Sequence, residues 1–236
     1  MPRGRPRLPE STKFGAWTLK HINAAINSDD YFELIIYGKR GRGKSIYAYK
    51  IAKIVYNNDL KKVWAHWVYT LDQLIEILDK YAGKDERIKL LVWDDAGVHG
   101  SKYKWFTEEQ ALVDTLAEVW QTIRDTVAAT LITTPNPKLL LKAIRTMDTY
   151  TGKVVWADRR VKLAMLKIYS QNILPNGFIL PKLIAYELFR AWLPDDEYKT
   201  LKSKRKRYSR ECIDRLKAKR EAIKKKQREK EVSVLD

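Results

Sequence analysis

A chain of 236 residues with 45% hydrophobic content is long enough for one sizeable core, or a core with a small appendage. No stretch approaches the roughly 18–20 unbroken apolar residues of a membrane span, and the N-terminus has basic residues without an apolar signal core, so the expectation is a cytosolic protein. The net charge of +17 is concentrated at the ends: five Lys/Arg against one Glu over residues 1–21, and sixteen against eight acidic groups over residues 196–236. Basic ends on a nearly balanced middle point to a polyanion partner, because each cation that neutralises a phosphate releases counterions. The tail lacks the apolar face of a membrane-surface helix, which favours nucleic acid over lipid. The single cysteine, Cys212, excludes an internal disulfide.

Residues 1–13 have the Pro-, Gly- and Arg-rich composition of a disordered basic arm. Within it, Pro2-Arg3-Gly4-Arg5-Pro6-Arg7 resembles the core of an AT-hook, with Arg3 and Arg5 drawn to the negative potential of a narrow minor groove. A generic basic arm is the alternative. Residues 17–27 read as a helix leading into a strand over 31–37. Directly after it comes Gly38-Lys39-Arg40-Gly41-Arg42-Gly43-Lys44-Ser45, the phosphate-binding P-loop pattern, and then a helix from about Ile46 to Val55. The glycines let the backbone point its N–H groups inward around a polyphosphate such as that of ATP. Lys44 reaches the β/γ-phosphates, the Ser45 hydroxyl can join a Mg²⁺, and the following helix aims its positive end at the same anion.

Further along, Val63–Val68 has strand character and Leu71–Tyr81 helical periodicity; Ile88–Trp93 is an apolar strand ending in Asp94-Asp95. An apolar strand that ends in two carboxylates sets them beside the phosphates at the top of the sheet. Asp94 would hold the Mg²⁺ shell and Asp95 would orient or deprotonate the attacking water. Next come a long helix from about Glu108 to Arg124 and a buried strand over Val127–Thr134, whose tip reads Thr133-Thr134-Pro135-Asn136-Pro137. A polar tip residue can hydrogen-bond the γ-phosphate or the water; Thr133, Thr134 and Asn136 are candidates, with Thr134 or Asn136 favoured. Arg145 is the first candidate for an arginine finger supplied by a neighbouring subunit of a homo-oligomer, and Arg124 the second. The loop Lys102-Tyr103-Lys104-Trp105-Phe106 could grip DNA by charge and stacking, with Lys102 and Lys104 as the cations. His99 reads more readily as a structural loop histidine than as a nucleotide sensor. Strands alternating with helices imply a mainly parallel sheet covered on both faces, with the ligand at the carboxyl ends of its strands. Beyond Arg145 the pattern changes: Lys153–Ala157 reads as a strand, Val161–Asn172 and Gly177–Phe189 as a hairpin turned at Pro175-Asn176-Gly177, and the segment from Pro194 as a charged helix.

The set of Gly38–Ser45, Leu91-Val92-Trp93-Asp94-Asp95 and the Thr133–Pro137 tip resembles the AAA+ ATPases of the DnaA/DnaC-type initiator and helicase-loader clade. Asp94-Asp95-Ala96-Gly97-Val98-His99, Ser101-Lys102-Tyr103 and Leu193-Pro194-Asp195-Asp196-Glu197-Tyr198 look more closely like the DnaA-like ATPases of archaeal spindle-shaped viruses and related plasmids. The resemblance implies a three-layer αβα P-loop NTPase of the AAA+/ASCE type, using ATP and Mg²⁺. It also implies assembly on DNA as an oligomer during replication of a mobile element, with a replicative helicase as one partner. Composition and pattern along the chain divide it into a basic arm (1–13), an ATPase core (14–150), a strand and hairpin extension (151–193) and a basic helical tail (194–236). One departure is that residues 153–189 read as strands where typical AAA+ proteins carry a helical lid. This keeps open a FtsK–HerA-type translocating or packaging ATPase, although such enzymes usually present Glu after the Walker B Asp and Gln at the sensor strand. A DNA-binding regulator with an ATP-operated switch is a third reading.

Overall fold

Two mostly apolar, buried runs set the middle of the sheet. In the computed structural model, which describes residues 11–96, 110–141, 144–145, 150–173 and 179–232, Phe32–Tyr37 and Ala129–Thr134 are buried along almost their whole length, as strands covered on both faces must be. In chain order the strands are β1 (Ser11–Thr12), β2 (Phe32–Tyr37), β3 (Trp67–Val68), β4 (Leu91–Trp93), β5 (Ala129–Thr134), β6 (Tyr150–Asp158), β7 (Leu163–Ile173) and β8 (Ile179–Arg190). They form one eight-stranded sheet in the order β1-β8-β7-β6-β2-β5-β4-β3. From β3 to β6 every pairing is parallel; β7 is antiparallel to both β6 and β8, and β1 is parallel to β8. The strand that carries the phosphate loop thus stands beside the strand with the polar tip, and the paired aspartates follow one strand further out. This is the P-loop NTPase fold, with a hairpin added at the β6 edge.

Helices cover both faces. On one lie α1 (Ala16–Ile26) and α2 (Lys44–Val55), shown by Trp17 against Tyr150 of β6 (ring centroids 5.0 Å) and Tyr47 against Phe189 of β8 (5.1 Å). On the other, Leu74 of α4 (Leu71–Tyr81) and Leu116 and Trp120 of α5 (Gln110–Thr122) share a core cluster with Ile35, Leu91 and Ile132. Thr70 caps α4 in a reciprocal capping box with Gln73. On β6, β7 and β8 buried residues alternate with half-buried or exposed ones, so that Val154, Leu166, Ala185 and Glu187 face α1 and α2.

The α1 N-terminus has no capping side chain of its own, and Gly15 at its cap position sits in the left-handed region (φ 73°). Its orphan N–H groups donate instead to Glu187 of β8, fully buried: Gly15 N at 2.7 Å, Trp17 N at 3.0 Å and Thr18 N at 2.9 Å. The Tyr47 hydroxyl of α2 donates to the same carboxylate at 2.6 Å. A carboxylate at a helix N-terminus is stabilised by the helix dipole, and four donors offset its removal from water. A second buried acid, Glu33 of β2, accepts from Tyr31 Oη (3.0 Å) and Trp120 Nε1 (2.8 Å). Burial pushes its carboxyl up to about 8, against the opposing pull of those two hydrogen bonds.

Three elements differ from the sequence expectation. Ser11–Thr12, at the end of the arm expected to be disordered, instead pair with β8 as β1. Residues 63–68 are not one strand: Leu60–Ala65 is a short helix, α3, because Asp59 caps it by accepting from the N–H groups of Lys61 and Lys62. The strand before Asp94 begins at Leu91 rather than Ile88. The Tyr56 hydroxyl takes both the N–H and the C=O of Leu90, leaving Ile88 only an isolated bridge to Val127. The Pro175–Gly177 turn lies outside the described residues, as does the start of the helix expected from Glu108.

Residues 193–236 form a second unit, in which the described residues make one helix, α6 (Asp195–Val232). Its acidic first turn, Asp195-Asp196-Glu197, complements the helix dipole. The body carries i,i+4 pairs such as Arg207–Glu211 and Arg210–Asp214, each at 3.3 Å.

Candidate nucleotide-binding site

The loop after β2 needs its glycines for two separate reasons. Gly38 and Gly43 both have positive φ (143° and 90°), and both are pressed against neighbours. A Cβ at Gly38 would stand 2.7 Å from the Val154 carbonyl oxygen, and one at Gly43 would stand 2.7 Å from Ala191 Cβ. The loop is therefore backed by β6 and by the chain just beyond β8. Lys44 Nζ folds across the loop, donating to the carbonyls of Gly38 (2.9 Å) and Lys39 (3.4 Å), and Ser45 opens α2 buried at the sheet top. The guanidinium of Arg42 lies 6.0 Å from the ring centroid of Trp156 on β6.

Ser45 Oγ donates to Asp94 Oδ1 at 2.6 Å, joining the loop to the end of β4. Thr133 Oγ1 donates to the same Asp94 oxygen and accepts the Asp95 N–H at 3.0 Å. Asp94 is fully buried; Asp95 is half-buried with φ 54°, a left-handed backbone that Asp tolerates better than most residues. Strained backbone of this kind gathers at functional sites. A hydroxyl and a carboxylate converging on one point at a P-loop form the oxygen donor set that suits Mg²⁺.

The structure redistributes the strand-tip candidates. Thr134 Oγ1 donates to the Asn136 carbonyl (3.1 Å) and accepts the Asn136 N–H (3.3 Å), while Asn136 Oδ1 caps the Lys138 N–H (3.0 Å). Both favoured residues shape the loop, and the hydroxyl that reaches the acid pair belongs to Thr133. The register accounts for this: Trp93 pairs with Ile132, so the next residues, Asp94 and Thr133, stand side by side. Arg145 follows fully buried Ile144 and is half-buried. Arg124 lies at the foot of β5, the end of the strand away from the phosphate loop, with its Nε 3.6 Å from Asp125. Arg3, Arg5, His99, Lys102, Lys104 and the aromatics beside them lie outside the described residues.

The family model described as RNA helicase matches residues 34–119, from the P-loop strand as far as α5. Among similar proteins, the uncharacterized protein B-251 of Sulfolobus spindle-shape virus 1 is 29% identical over 216 residues, covering 85% of this chain and 84% of the viral protein. The uncharacterized protein ORF286 of Acidianus two-tailed virus is 27% identical over 177 residues, 74% of this chain and 60% of that protein. Among solved structures, the N-terminal domain of zonular occludens toxin from Neisseria meningitidis aligns with a TM-score of 0.40 and 14% identity, over 66% of this chain and 95% of that one. No helix among the described residues is long and apolar enough to cross a membrane.

Proposed function

We propose that this chain is a Mg²⁺-dependent ATPase that works on the DNA of a mobile genetic element. One observation carries the hydrolytic reading: Asp94 accepts from Ser45 and from Thr133, and Thr133 in turn holds the Asp95 backbone, so loop, acid pair and strand tip are one hydrogen-bonded unit. A loop that only bound phosphate would not need the other two parts. Ser45 and Asp94 would hold the Mg²⁺, which when bound neutralises phosphate charge. Lys44 and the inward N–H groups of the loop bind and orient the triphosphate. Asp95 orients the attacking water and accepts its proton, and Thr133 fixes the turn on which Asp95 stands. The test is Asp95→Asn: phosphate release over many turnovers is lost while ATP binding is retained, and normal hydrolysis by this variant would remove Asp95 from the role.

The basic arm and tail support DNA as the partner, and the relatives in two archaeal viruses support a mobile element as the setting. The resemblance to initiators and loaders suggests a homo-oligomer with a role at replication initiation or helicase loading, with Arg145 as the finger offered to the neighbouring subunit. A translocating ATPase is favoured by a specific observation: β6, β7 and β8 extend the sheet where the helical lid of the loaders would follow. ATP-driven displacement of a roadblock along duplex DNA would select the translocator; origin-specific binding without displacement would select the initiator.

A further inference from the structure

Asp94 and Asp95 follow β4, on the β5 side of the P-loop strand, which directs the γ end of a bound triphosphate toward β4 and its nucleoside toward β6, β7 and β8. On that side the loop rests on the strand extension. A Cβ at Gly43 would stand 2.7 Å from Ala191 Cβ and 3.3 Å from Phe189 Cε2. The backbone there is held at two points: Lys50 Nζ of α2 donates to the Arg190 carbonyl at 2.7 Å, and the Ala191 N–H donates to the Lys162 carbonyl at 2.8 Å. The next residue is Trp192, and it is 52% exposed, whereas Trp67, Trp93 and Trp120 are at most 6% exposed. Leaving the largest apolar side chain in water forgoes the stabilisation that its burial would bring. Two rings near the loop on this side are already engaged: Phe189 is buried, and the Arg42 guanidinium lies over Trp156. An exposed indole on fixed backbone, one residue from the contact with the loop glycine, is suited to hold a flat aromatic ligand.

We propose that Trp192 is the nucleobase platform of this site, stacking the base of the nucleoside triphosphate whose phosphates the loop holds. The inference rests on the nucleotide site proposed above and adds to it the residue that distinguishes a nucleotide from a bare polyphosphate. Stacking recognises a π-face rather than a hydrogen-bond pattern, so the platform takes either purine.

The test compares Mg-ATP with Mg-tripolyphosphate, binding each to the full chain as wild type, Trp192→Ala and Trp192→Phe. Trp192→Ala weakens Mg-ATP roughly tenfold, equivalent to about 1.4 kcal/mol, and leaves tripolyphosphate unchanged; Trp192→Phe restores most of the loss. Equal Mg-ATP affinity in wild type and Trp192→Ala overturns the proposal and leaves the nucleotide site standing. An equal loss for both ligands also overturns it, by making Trp192 a support for the loop. A wild-type chain that binds neither ligand overturns the nucleotide site itself.

Discussion

Adjacent threonines at the tip of β5 have different work. Thr133 links Asp94 to the Asp95 backbone, whereas Thr134 is spent on the Asn136 backbone. Thr133→Val should lower kcat by about 10²-fold with little change in KM, the range seen when one preorganised donor is removed. Thr134→Val should stay within a few-fold of wild type, and steady-state kinetics on the pair checks both. The position of the acid pair beside the phosphate loop was legible in the sequence, because an apolar run that follows a P-loop and ends in Asp94-Asp95 reads as a buried strand of the same sheet. Which threonine meets it was not, since a one-residue change of register turns every side chain to the other face. Glu33 was not legible either: nothing local says that Tyr31 and Trp120 enclose it. Its carboxyl is raised from 4.5 to about 8, so the folded chain holds a proton that the unfolded chain sheds above pH 4.5. This contribution to stability is complete below pH 4.5 and is lost as pH rises toward about 8. Glu33→Gln carries no such titration, so its Tm relative to wild type should rise across that interval; a constant difference would show that Glu33 stays ionised in the fold.

Among the elements, the long periodic or predominantly apolar segments were readable because burial on one face or two dictates their composition, as in β2, β5 and α4. The helix at Leu60–Ala65 has a definite cause: the β-branched and aromatic residues of Val63–Val68 favour a strand, and the Asp59 cap just upstream outweighs them. The extension past Arg145 was recognised as strands, but its pairing with the core was not legible, because periodicity does not say which edge a strand joins. That pairing puts Glu187 under α1. Glu187→Gln removes the buried charge that three backbone N–H groups and a tyrosine address, at a cost of about 2 kcal/mol. In a chain of this size that corresponds to ~4–8 °C in Tm, which a thermal melt at neutral pH resolves. Asp59→Ala, removing an exposed cap, should cost about 1 kcal/mol.

At the scale of the whole molecule, charge sits where composition put it, and α6 carries most of the tail's share on a helix of 38 residues, about 57 Å at 1.5 Å per residue. If the basic ends neutralise six or more phosphates, affinity for duplex DNA should fall by about 10³-fold between 50 and 200 mM salt. Replacing four α6 lysines with Gln should flatten that slope without altering basal ATPase, a comparison that fluorescence anisotropy across a salt series provides. The same molecule also has a constraint in time. The donors of the α1 N-terminus and their acceptor Glu187 are 169–172 residues apart. During synthesis α1 leaves the ribosome long before its cap exists, so its first turn must wait, open to water or to chaperones, until Glu187 has been made and released. A ribosome stalled short of residue 187 would therefore display an N-terminal helix frayed at its start, and release from the stall would be the event that closes it.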